Sequence, residues 1–217
     1  EKISEDSLND FQFIKSNNVK EVIDIIVKLY DGNTEIITPT KRGELGTKSL
    51  NRIIQAKFNP EAKNKNEKNF GEADKVMQIK NNYDIEWVRD GEHSTGIFNG
   101  EMGIIQSIKD GVIEIHFDDD KIAKYNFQDM DQIEHCYAIT VHKSQGSEFD
   151  KVLMPILNVQ PMLLTRNVLY TGMTRAKKML TIIGSEYNVS YMIKNVNIKK
   201  RNTGLEYKLR KGDSIKL

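Results

Sequence analysis

The first part of the chain alternates between helical and extended hydrophobic patterns. Apolar residues recur every three or four positions over residues 19–30, which predicts an amphipathic helix that Asp31-Gly32 ends. A short strand over 35–38, a basic glycine-containing loop over 40–46 and a second helix through residue 58 follow. Strand, glycine loop and helix in this order are typical of an α/β unit, in which ligand-binding loops lie at strand ends.

The hydrophobic period then becomes two, which is typical of strands. One strand is predicted over 76–79, and three short strands follow over 102–108, 112–117 and 122–127, joined by tight polar turns. So short a β unit can bury its apolar face only by curling or by packing on a neighbour. We therefore predict a small β-barrel inserted at residues 84–134.

The α/β pattern returns after the insertion. Four further elements are predicted: a buried strand over 151–156, a helix over 166–176, a buried strand over 179–184 and a helix that starts within 187–194. The expected fold class is therefore α/β, with a parallel-sheet domain formed by residues 1–83 and 135–217 and interrupted by the small barrel.

Composition narrows the class of protein. The 217 residues are 38% hydrophobic and 29% charged, with a mean hydropathy of −0.54, and no apolar run approaches the length of a membrane span. A single cysteine, Cys136, excludes an internal disulfide framework and fits a reducing cytoplasm, where we expect the protein to act. No membrane partner is expected.

Charge is segregated although the overall balance is nearly neutral. The 32 basic and 31 acidic residues give a net charge of +1. Residues 194–217 hold eight Lys or Arg against two acids, whereas residues 101–134 hold nine acids against three bases. The basic segment could meet a phosphate backbone, and the acidic barrel surface should repel one. Either segment could also be simply a solvated face.

The segment over residues 137–150 concentrates the most chemistry. It places hydroxyl, imidazole, ammonium, amide and carboxylate groups around one glycine, immediately before a buried strand. By composition alone, such a segment is more often an ordinary turn with a satisfied surface or core histidine.

The order of residues in this segment points further. Thr140 to Phe149 resembles the fifth conserved motif of superfamily 1 helicases, in the form of the RecD/TraA family, and residues 169–176 resemble the sixth motif, with its Thr-Arg-Ala core. Residues 38–46 with Leu50-Asn51 resemble a RecD-type fourth motif. Three further stretches match in order: residues 74–83, 98–101 and 201–205. The resemblance therefore covers nearly the whole chain.

The resemblance implies a second RecA-like motor domain that carries a Src-homology-3-like barrel, as in the exodeoxyribonuclease V alpha subunit. Such proteins are DNA helicases of repair and recombination that hydrolyse ATP with Mg²⁺ between two RecA-like domains and move 5′ to 3′. The partners it implies are single-stranded DNA, an N-terminal RecA-like domain of the parent chain and, in some members, other nuclease-helicase subunits.

Elements that hold ATP are missing. A phosphate-binding loop needs G-x-x-x-x-G-K-[ST], and the nearest string, residues 43–49, has an extra threonine before its lysine. No apolar strand ends in an acidic pair that would hold magnesium. We therefore expect the C-terminal half of a longer protein, inactive alone and with no nucleotide bound to it.

Two arginines are candidates for catalysis. Arg175 occupies the position of the sixth-motif arginine, whose planar guanidinium can bridge two oxygens of the γ-phosphate across a domain cleft. Arg42, in the fourth-motif loop, is a second phosphate candidate, with Lys41 beside it.

The fifth motif supplies the candidates for ligand binding. Thr140, His142 and Lys143 carry groups that bind phosphate and sugar without base preference, so they are assigned to DNA. Three residues further along are assigned to the nucleotide: Gln145, Gly146 and Glu148.

Two features are given the simpler interpretation. Tyr83, Trp87 and Phe98 could stack on bases, but we expect them to fill the barrel core. The acidic run Asp118–Asp120 is predicted to be a solvated turn, so no metal site is expected. The alternative function is a stand-alone single-stranded DNA-binding or protein-docking module without ATPase activity.

Overall fold

The protein is built on two sheets, one parallel and one antiparallel. The computed structural model describes residues 10–60, 62 and 69–196, with the exception of the Phe127 side chain. The basic segment beyond residue 196 and the match at residues 201–205 lie outside the described residues. In the described ranges, no helix has the length and apolar character that a membrane crossing requires.

Twelve strands and four α-helices make up the described fold. In chain order they are β1 (Phe11–Lys15), α1 (Val19–Leu29), β2 (Thr34–Thr38), α2 (Thr47–Phe58), β3 (Lys75–Gln78), β4 (Asn82–Arg89), β5 (Glu92–Ile97), β6 (Met102–Lys109), β7 (Val112–Phe117), β8 (Ile122–Asn126), β9 (Ile133–His135), β10 (Ala138–Thr140), β11 (Phe149–Ile156), α3 (Arg166–Met173), β12 (Ala176–Gly184) and α4 (Glu186–Lys194).

The parallel sheet has the order β1-β12-β11-β2-β10. Two hydrophobic clusters contain its strands. One includes Ile36 and Ile183 with the buried residues of α1 and α2, and the other includes Met154 and Ile182 with residues of α3 and α4. Strands buried on both faces read as continuous apolar runs, which is why the sequence pattern located β2, β11 and β12.

The antiparallel sheet has the order β5-β4-β8-β7-β6-β3-β9 and encloses a separate core. Alternate residues of β7 and β8, among them Ile113, Ile115 and Tyr125, are fully buried inside it. The hairpins β4-β5 and β6-β7 turn at Asp90-Gly91 and Asp110-Gly111, where all four residues have positive φ. Positive φ at both central residues is the requirement of a type I′ turn, whose twist matches the paired strands.

The antiparallel sheet is longer than the predicted insertion. It runs from Lys75 in β3 to His135 in β9, because these two strands pair with each other and β3 also pairs with β6. The division of the chain at residues 84 and 134 stays a prediction, but the strand predicted over 76–79 belongs to this sheet and not to the parallel one.

The expectation that three aromatic residues fill the barrel core is wrong for two of them. Tyr83 and Phe98 are 66% and 40% exposed and form an edge-to-face pair at 5.5 Å between ring centroids. Trp87 does pack against the core, with Arg89 and Lys121 near its ring. Strict alternation would put Tyr83 on the same face as Ile85 and Trp87, but the pairing of β4 with β5 is irregular between Asn82 and Glu86, and Tyr83 lies in this irregular part and is exposed.

A buried ion pair joins the two sheets. Lys75 Nζ in β3 lies 2.5 Å from Glu35 Oε2 in β2, and Glu35 is almost fully buried. Burial raises the pKa of Glu35 from 4.5 to about 7, although the neighbouring ammonium opposes the shift. The same pairing raises the pKa of Lys75 above its usual value, against the effect of burial. The pair therefore connects the sheets at the cost of removing two charged groups from water.

Removing only one partner of this pair should be costly. We expect Lys75→Met to destabilise the protein by about 3–5 kcal/mol, because Glu35 is left buried without a counter-charge. The double change Glu35→Leu with Lys75→Met should cost far less. Urea unfolding measures both, and Lys151→Met, which breaks the exposed pair with Asp31, is the matched control.

The pH dependence gives a second readout for the Lys75→Met variant. A folded-state pKa raised above 4.5 means that the contribution of Glu35 to stability is fully present below pH 4.5 and is lost as the pH rises through about 7. The deficit of Lys75→Met should therefore shrink between pH 7 and pH 5. A double variant as unstable as the single one would contradict this account.

Candidate functional site

The predicted site residues lie at two opposite edges of the parallel sheet. Thr140 pairs with Thr38 where β10 and β2 end, which defines the carboxyl edge. Phe149 pairs with Ala176 where β11 and β12 begin, which defines the amino edge. Because β11 is parallel to β2, residues 141–148 lead from the carboxyl edge to the amino edge. One short segment therefore contributes to both edges.

At the carboxyl edge this segment begins as a tight turn. The amide of Ser144 donates to the carbonyl of Thr140, and the buried Ser144 hydroxyl donates to the carbonyl of Val141. The Thr140 hydroxyl accepts a hydrogen bond from the amide of Lys143. These bonds fix the backbone and leave the side chain of His142 exposed. The turn thus presents an imidazole to the outside beside a half-buried lysine.

Two lysines from separate loops meet at one carboxylate. Lys143 Nζ pairs with Glu134 Oε1, and Lys41 Nζ lies 3.8 Å from Glu134 Oε2. Lys41 belongs to the loop after β2, whereas Glu134 belongs to β9 of the antiparallel sheet. The structure therefore brings together the fourth-motif and fifth-motif loops around an acid that the sequence did not single out.

More cations lie on the adjoining helix. A cavity of about 300 Å³ is lined by Lys41, Lys48, Arg52 and Glu134, among other residues. Lys48 and Arg52 are four positions apart, so both project from one face of α2. The N-cap of this helix, Gly46, provides no side-chain hydrogen bond. The four-residue spacing of Lys48 and Arg52 is a sequence signal for a basic face on α2, but in this region the sequence-based assignments included only basic residues of the loop before this helix.

Asn51 holds the outer strand of the parallel sheet. Its side-chain amide donates to the carbonyls of Ala138 and His135, and its carbonyl accepts from the amide of Ala138 at 2.8 Å. The Asn51 side chain thereby makes the hydrogen bonds that a further strand would make on the open side of β10. The position of Thr140, two residues later, depends on these hydrogen bonds.

A buried carboxylate connects α2, the chain before β3, β9 and the link from β9 to β10. Asp74 is fully buried and has five partners within 2.6–3.1 Å. The partners are the side chains of Gln55, Asn59, His135 and Tyr137 and the amide of Gly71. Burial alone would raise the pKa of Asp74, but the hydrogen bonds outweigh it and lower the pKa below 3.8.

At the amino edge, Arg175 is half-buried between the fifth and sixth motifs. Its guanidinium donates to the carbonyl of Ser147 at 2.9 Å, to the carbonyl of Thr171 at 3.2 Å and to the hydroxyl of Thr174 at 3.1 Å. Its own carbonyl accepts from the amide of Phe149. All three guanidinium partners are uncharged, so the arginine has no fixed counter-ion among them.

The residues assigned to the nucleotide surround this arginine unevenly. Glu148 is exposed, lies 3.5 Å from Lys177 and lines a cavity of about 360 Å³ together with Ser147 and Phe149. Gly146 has φ of +90°, a conformation that favours glycine. Gln145, also exposed, lies within the turn next to His142 and therefore nearer to the carboxyl edge.

Arg42 does not join Arg175. It follows the carboxyl end of β2, and its backbone closes a small turn with the Thr40 hydroxyl. No contact among the described residues connects the two arginines, which lie at opposite edges of the sheet. The catalytic role of Arg42 stays a prediction, and the strand register does not support it.

Metal ligands are not grouped in this part of the molecule. Within residues 10–60, 62 and 69–196, no cluster of three His, Cys, Asp or Glu side chains could hold a metal ion. The chain can offer a nucleotide a guanidinium and a carboxylate, and it can offer an anionic strand several cations.

Two family models match the chain. Residues 135–183 match the UvrD-like helicase C-terminal domain, and residues 50–118 match the SH3 domain of ATP-dependent RecD-like DNA helicases. The first match contains β10, β11, α3 and most of β12, and the second contains most of the antiparallel sheet. The chain therefore carries the C-terminal domain of a UvrD-like helicase with a Src-homology-3-like insertion.

Longer relatives match across most of the chain. "Uncharacterized protein MJ1519" of Methanocaldococcus jannaschii is 37% identical over an aligned length of 216 residues. This alignment covers 88% of this chain and 18% of the relative. The ATP-dependent RecD2 DNA helicase of Deinococcus radiodurans is 32% identical over 157 residues, which cover 71% of this chain and 20% of the relative. The RecBCD enzyme subunit RecD of Buchnera aphidicola subsp. Schizaphis graminum is 29% identical over 184 residues, which cover 83% of this chain and 29% of the relative.

These matches define the family. The chain belongs to the RecD family of helicases and corresponds to their C-terminal region. It spans less than a third of the length of each of these relatives. A solved Pif1 helicase from Bacteroides in complex with ADP-AlF3 and ssDNA aligns with 90% of this chain and 52% of its own, at 18% identity and a TM-score of 0.49.

Asp74→Asn tests the buried network beneath the site. We expect a loss of about 3 kcal/mol at pH 7, because an amide cannot accept all five contacts that the carboxylate accepts. Since the pKa of Asp74 is lowered in the folded state, its contribution is present above about pH 4 and is lost as the pH falls through the folded value. Thermal unfolding between pH 3 and pH 7 measures both effects.

Asp24→Asn is the control for this change, because Asp24 is exposed on α1. It should leave both the stability and its acid dependence unaltered. An Asp74→Asn variant as stable as the unchanged protein would contradict the proposed importance of the network.

Proposed function

We propose that this region is the second motor domain of an ATP-dependent DNA helicase. Its amino edge would face a nucleotide held by another RecA-like domain, and its carboxyl edge would hold a single strand. The observation that carries the proposal is the course of residues 141–148, which begin beside the exposed His142 and end beside Arg175. A segment that contacts both ligands can transmit a change at one to the other.

Arg175 has the chemistry of a catalytic arginine. Its guanidinium donates to three neutral oxygens, and a triphosphate would offer charged oxygens to the same planar group. Exchange of partners would stabilise the charge that develops on the γ-phosphate during hydrolysis. Nothing in this step requires Arg175 to leave the edge of the sheet.

The exchange would also release the fifth motif. Arg175 holds the carbonyl of Ser147, so a phosphate that takes over the guanidinium frees the end of the segment that starts at Thr140. Glu148 would accept hydrogen bonds from the ribose, and Gly146 would allow the backbone to adjust. Gln145 would then contribute from the middle of the segment. This arrangement is our account of how hydrolysis is coupled to movement on DNA.

The carboxyl edge has the chemistry of a strand-binding surface. Thr140, His142 and Lys143 would contact phosphate and sugar, which carry no base information. We also place Arg42 at this edge, because it follows the strand end that pairs with β10. Lys48 and Arg52 on α2 would extend the surface.

Several features of the parent protein are proposed from the motifs of the chain, from the names of its relatives and from its single cysteine. Use of ATP and Mg²⁺, 5′ to 3′ movement, a partner N-terminal RecA-like domain, association with other nuclease-helicase subunits, roles in repair and recombination, and a cytoplasmic location are proposals for the full-length protein. A stand-alone DNA-binding or docking module is the weaker candidate, since the matching relatives are several times longer than the chain.

Arg175→Ala tests the catalytic proposal. In the full-length protein, DNA-stimulated ATP hydrolysis should fall by about 10³-fold or more, while binding of single-stranded DNA is retained. Arg175→Lys should restore little, because a lysine cannot bridge two phosphate oxygens. Steady-state ATPase assays and fluorescence anisotropy measure the two activities.

The control for Arg175 lies on α3, the helix that ends two residues before it. Arg166→Ala removes an arginine from the other end of α3, where it donates to the carbonyl of Ile193. Its ATPase activity should resemble that of the unchanged protein. Full hydrolysis by the Arg175→Ala protein would refute the assignment.

Lys143→Ala tests the strand-binding surface. Affinity for an oligothymidylate should fall, and the slope of log K against log salt should become shallower by about 0.7, the value for one phosphate contact on a single strand. Lys124→Ala removes a similarly paired lysine from the antiparallel sheet and should change neither quantity. Equal salt slopes for Lys143→Ala and the unchanged protein would contradict the role of Lys143.

A further inference from the structure

Glu134 pairs with two lysines at the carboxyl edge, where the proposed function puts the phosphates of a single strand. Its two carboxylate oxygens pair with Lys143 and Lys41, which come from the fifth-motif and fourth-motif loops. A carboxylate and a phosphate present the same kind of charged acceptor to an ammonium group. Both lysines are therefore satisfied before any nucleic acid arrives.

The backbone of Glu134 is firmly held while its side chain remains accessible. Its neighbour Ile133 is buried in the core of the antiparallel sheet, and His135 on the other side contacts Asp74. Pairing of β9 with β3 places Glu134 opposite Met77. The Glu134 side chain is 36% exposed, and its partners Lys41 and Lys143 are 53% and 28% exposed.

Such pairs are easily exchanged. Partly exposed lysine–carboxylate contacts contribute little stability, because water and salt screen them. A strand that carries several phosphates can therefore displace one carboxylate at small cost. The exchange leaves Glu134 facing the strand, and its negative charge then opposes binding.

We propose that Glu134 is an internal competitor for the strand-binding lysines, and that it sets the affinity of the carboxyl edge for single-stranded DNA. The inference rests on the proposed function of that edge. It gives the antiparallel sheet a role in strand binding, in spite of its acidic surface. Weaker binding would let the strand leave the lysines after each step and would prevent long occupancy by unneeded polyanions.

Glu134→Gln in the full-length protein tests this proposal, with an oligothymidylate as the probe. The change removes one charge and retains the size of the side chain. At low salt, affinity should increase about tenfold, and the slope of log K against log salt should become steeper by about 0.7. Glu134→Asp, whose shorter side chain cannot reach both lysines, should give a smaller gain and serves as the second variant.

Two controls separate this effect from a general change in charge. Glu114→Gln removes an acid that lies 3.8 Å from Lys124 in the same sheet, and it should leave affinity unchanged. When Lys41 and Lys143 are both replaced by Gln, Glu134→Gln should no longer increase affinity. This dependence on the two lysines is a readout that a merely structural role would not produce.

The outcomes distinguish the competitor from the binding surface. If Lys143→Ala weakens binding but Glu134→Gln leaves it equal or weaker, Glu134 is no competitor and the strand-binding surface stands. A gain that persists without the two lysines also overturns the competitor. If neither the unchanged protein nor any variant shows binding that depends on Lys143, the strand-binding proposal fails, and the competitor fails with it.

Discussion

The buried carboxylate of Asp74 is the interaction on which the arrangement of the two sheets depends. It is withdrawn from water, so it is tolerated only because five groups surround it. Those groups come from α2 and its C-terminal cap, from the chain before β3, from β9 and from the link between β9 and β10. A single buried charge thus requires several segments to meet at one point, and it specifies their relative position more strictly than apolar contact could. The Glu35–Lys75 pair adds a second constraint of the same kind.

Contacts connect the hydrogen-bond network around Asp74 to both edges of the parallel sheet. His135 contacts Asp74 and lies next to Glu134, which pairs with Lys143. Lys143 lies in the segment of residues 141–148, which also contains Ser147, whose carbonyl accepts a hydrogen bond from Arg175. A continuous series of contacts therefore leads from the antiparallel sheet through the fifth motif to the sixth. The inserted sheet is part of the proposed site and not only an appendage to it.

Most strands and the central site residues could be predicted from the sequence, and the elements that could not be predicted have physical explanations. The buried strands β2, β11 and β12 and the β6-β7-β8 meander were predicted from hydrophobic runs and alternation. β10 has only three residues and borrows a partner from Asn51, so no periodic pattern marks it. β4 and β5 were missed although Asp90-Gly91 is a hairpin signal between alternating residues. Motif order located Arg175 and His142, whereas the pairing of Glu134 with lysines from two separate loops, Lys41 and Lys143, is visible only in the folded chain.

Asn51 has a consequence beyond the position of Thr140. β10 is one of the two edge strands of the parallel sheet, and an unpaired edge is a template to which a strand of another chain can add. The Asn51 side chain donates a hydrogen bond to the backbone carbonyl of Ala138 and accepts one from its backbone N–H. An added strand would need these two backbone groups. One side chain thereby ends the sheet and protects the protein from uncontrolled self-association at that edge.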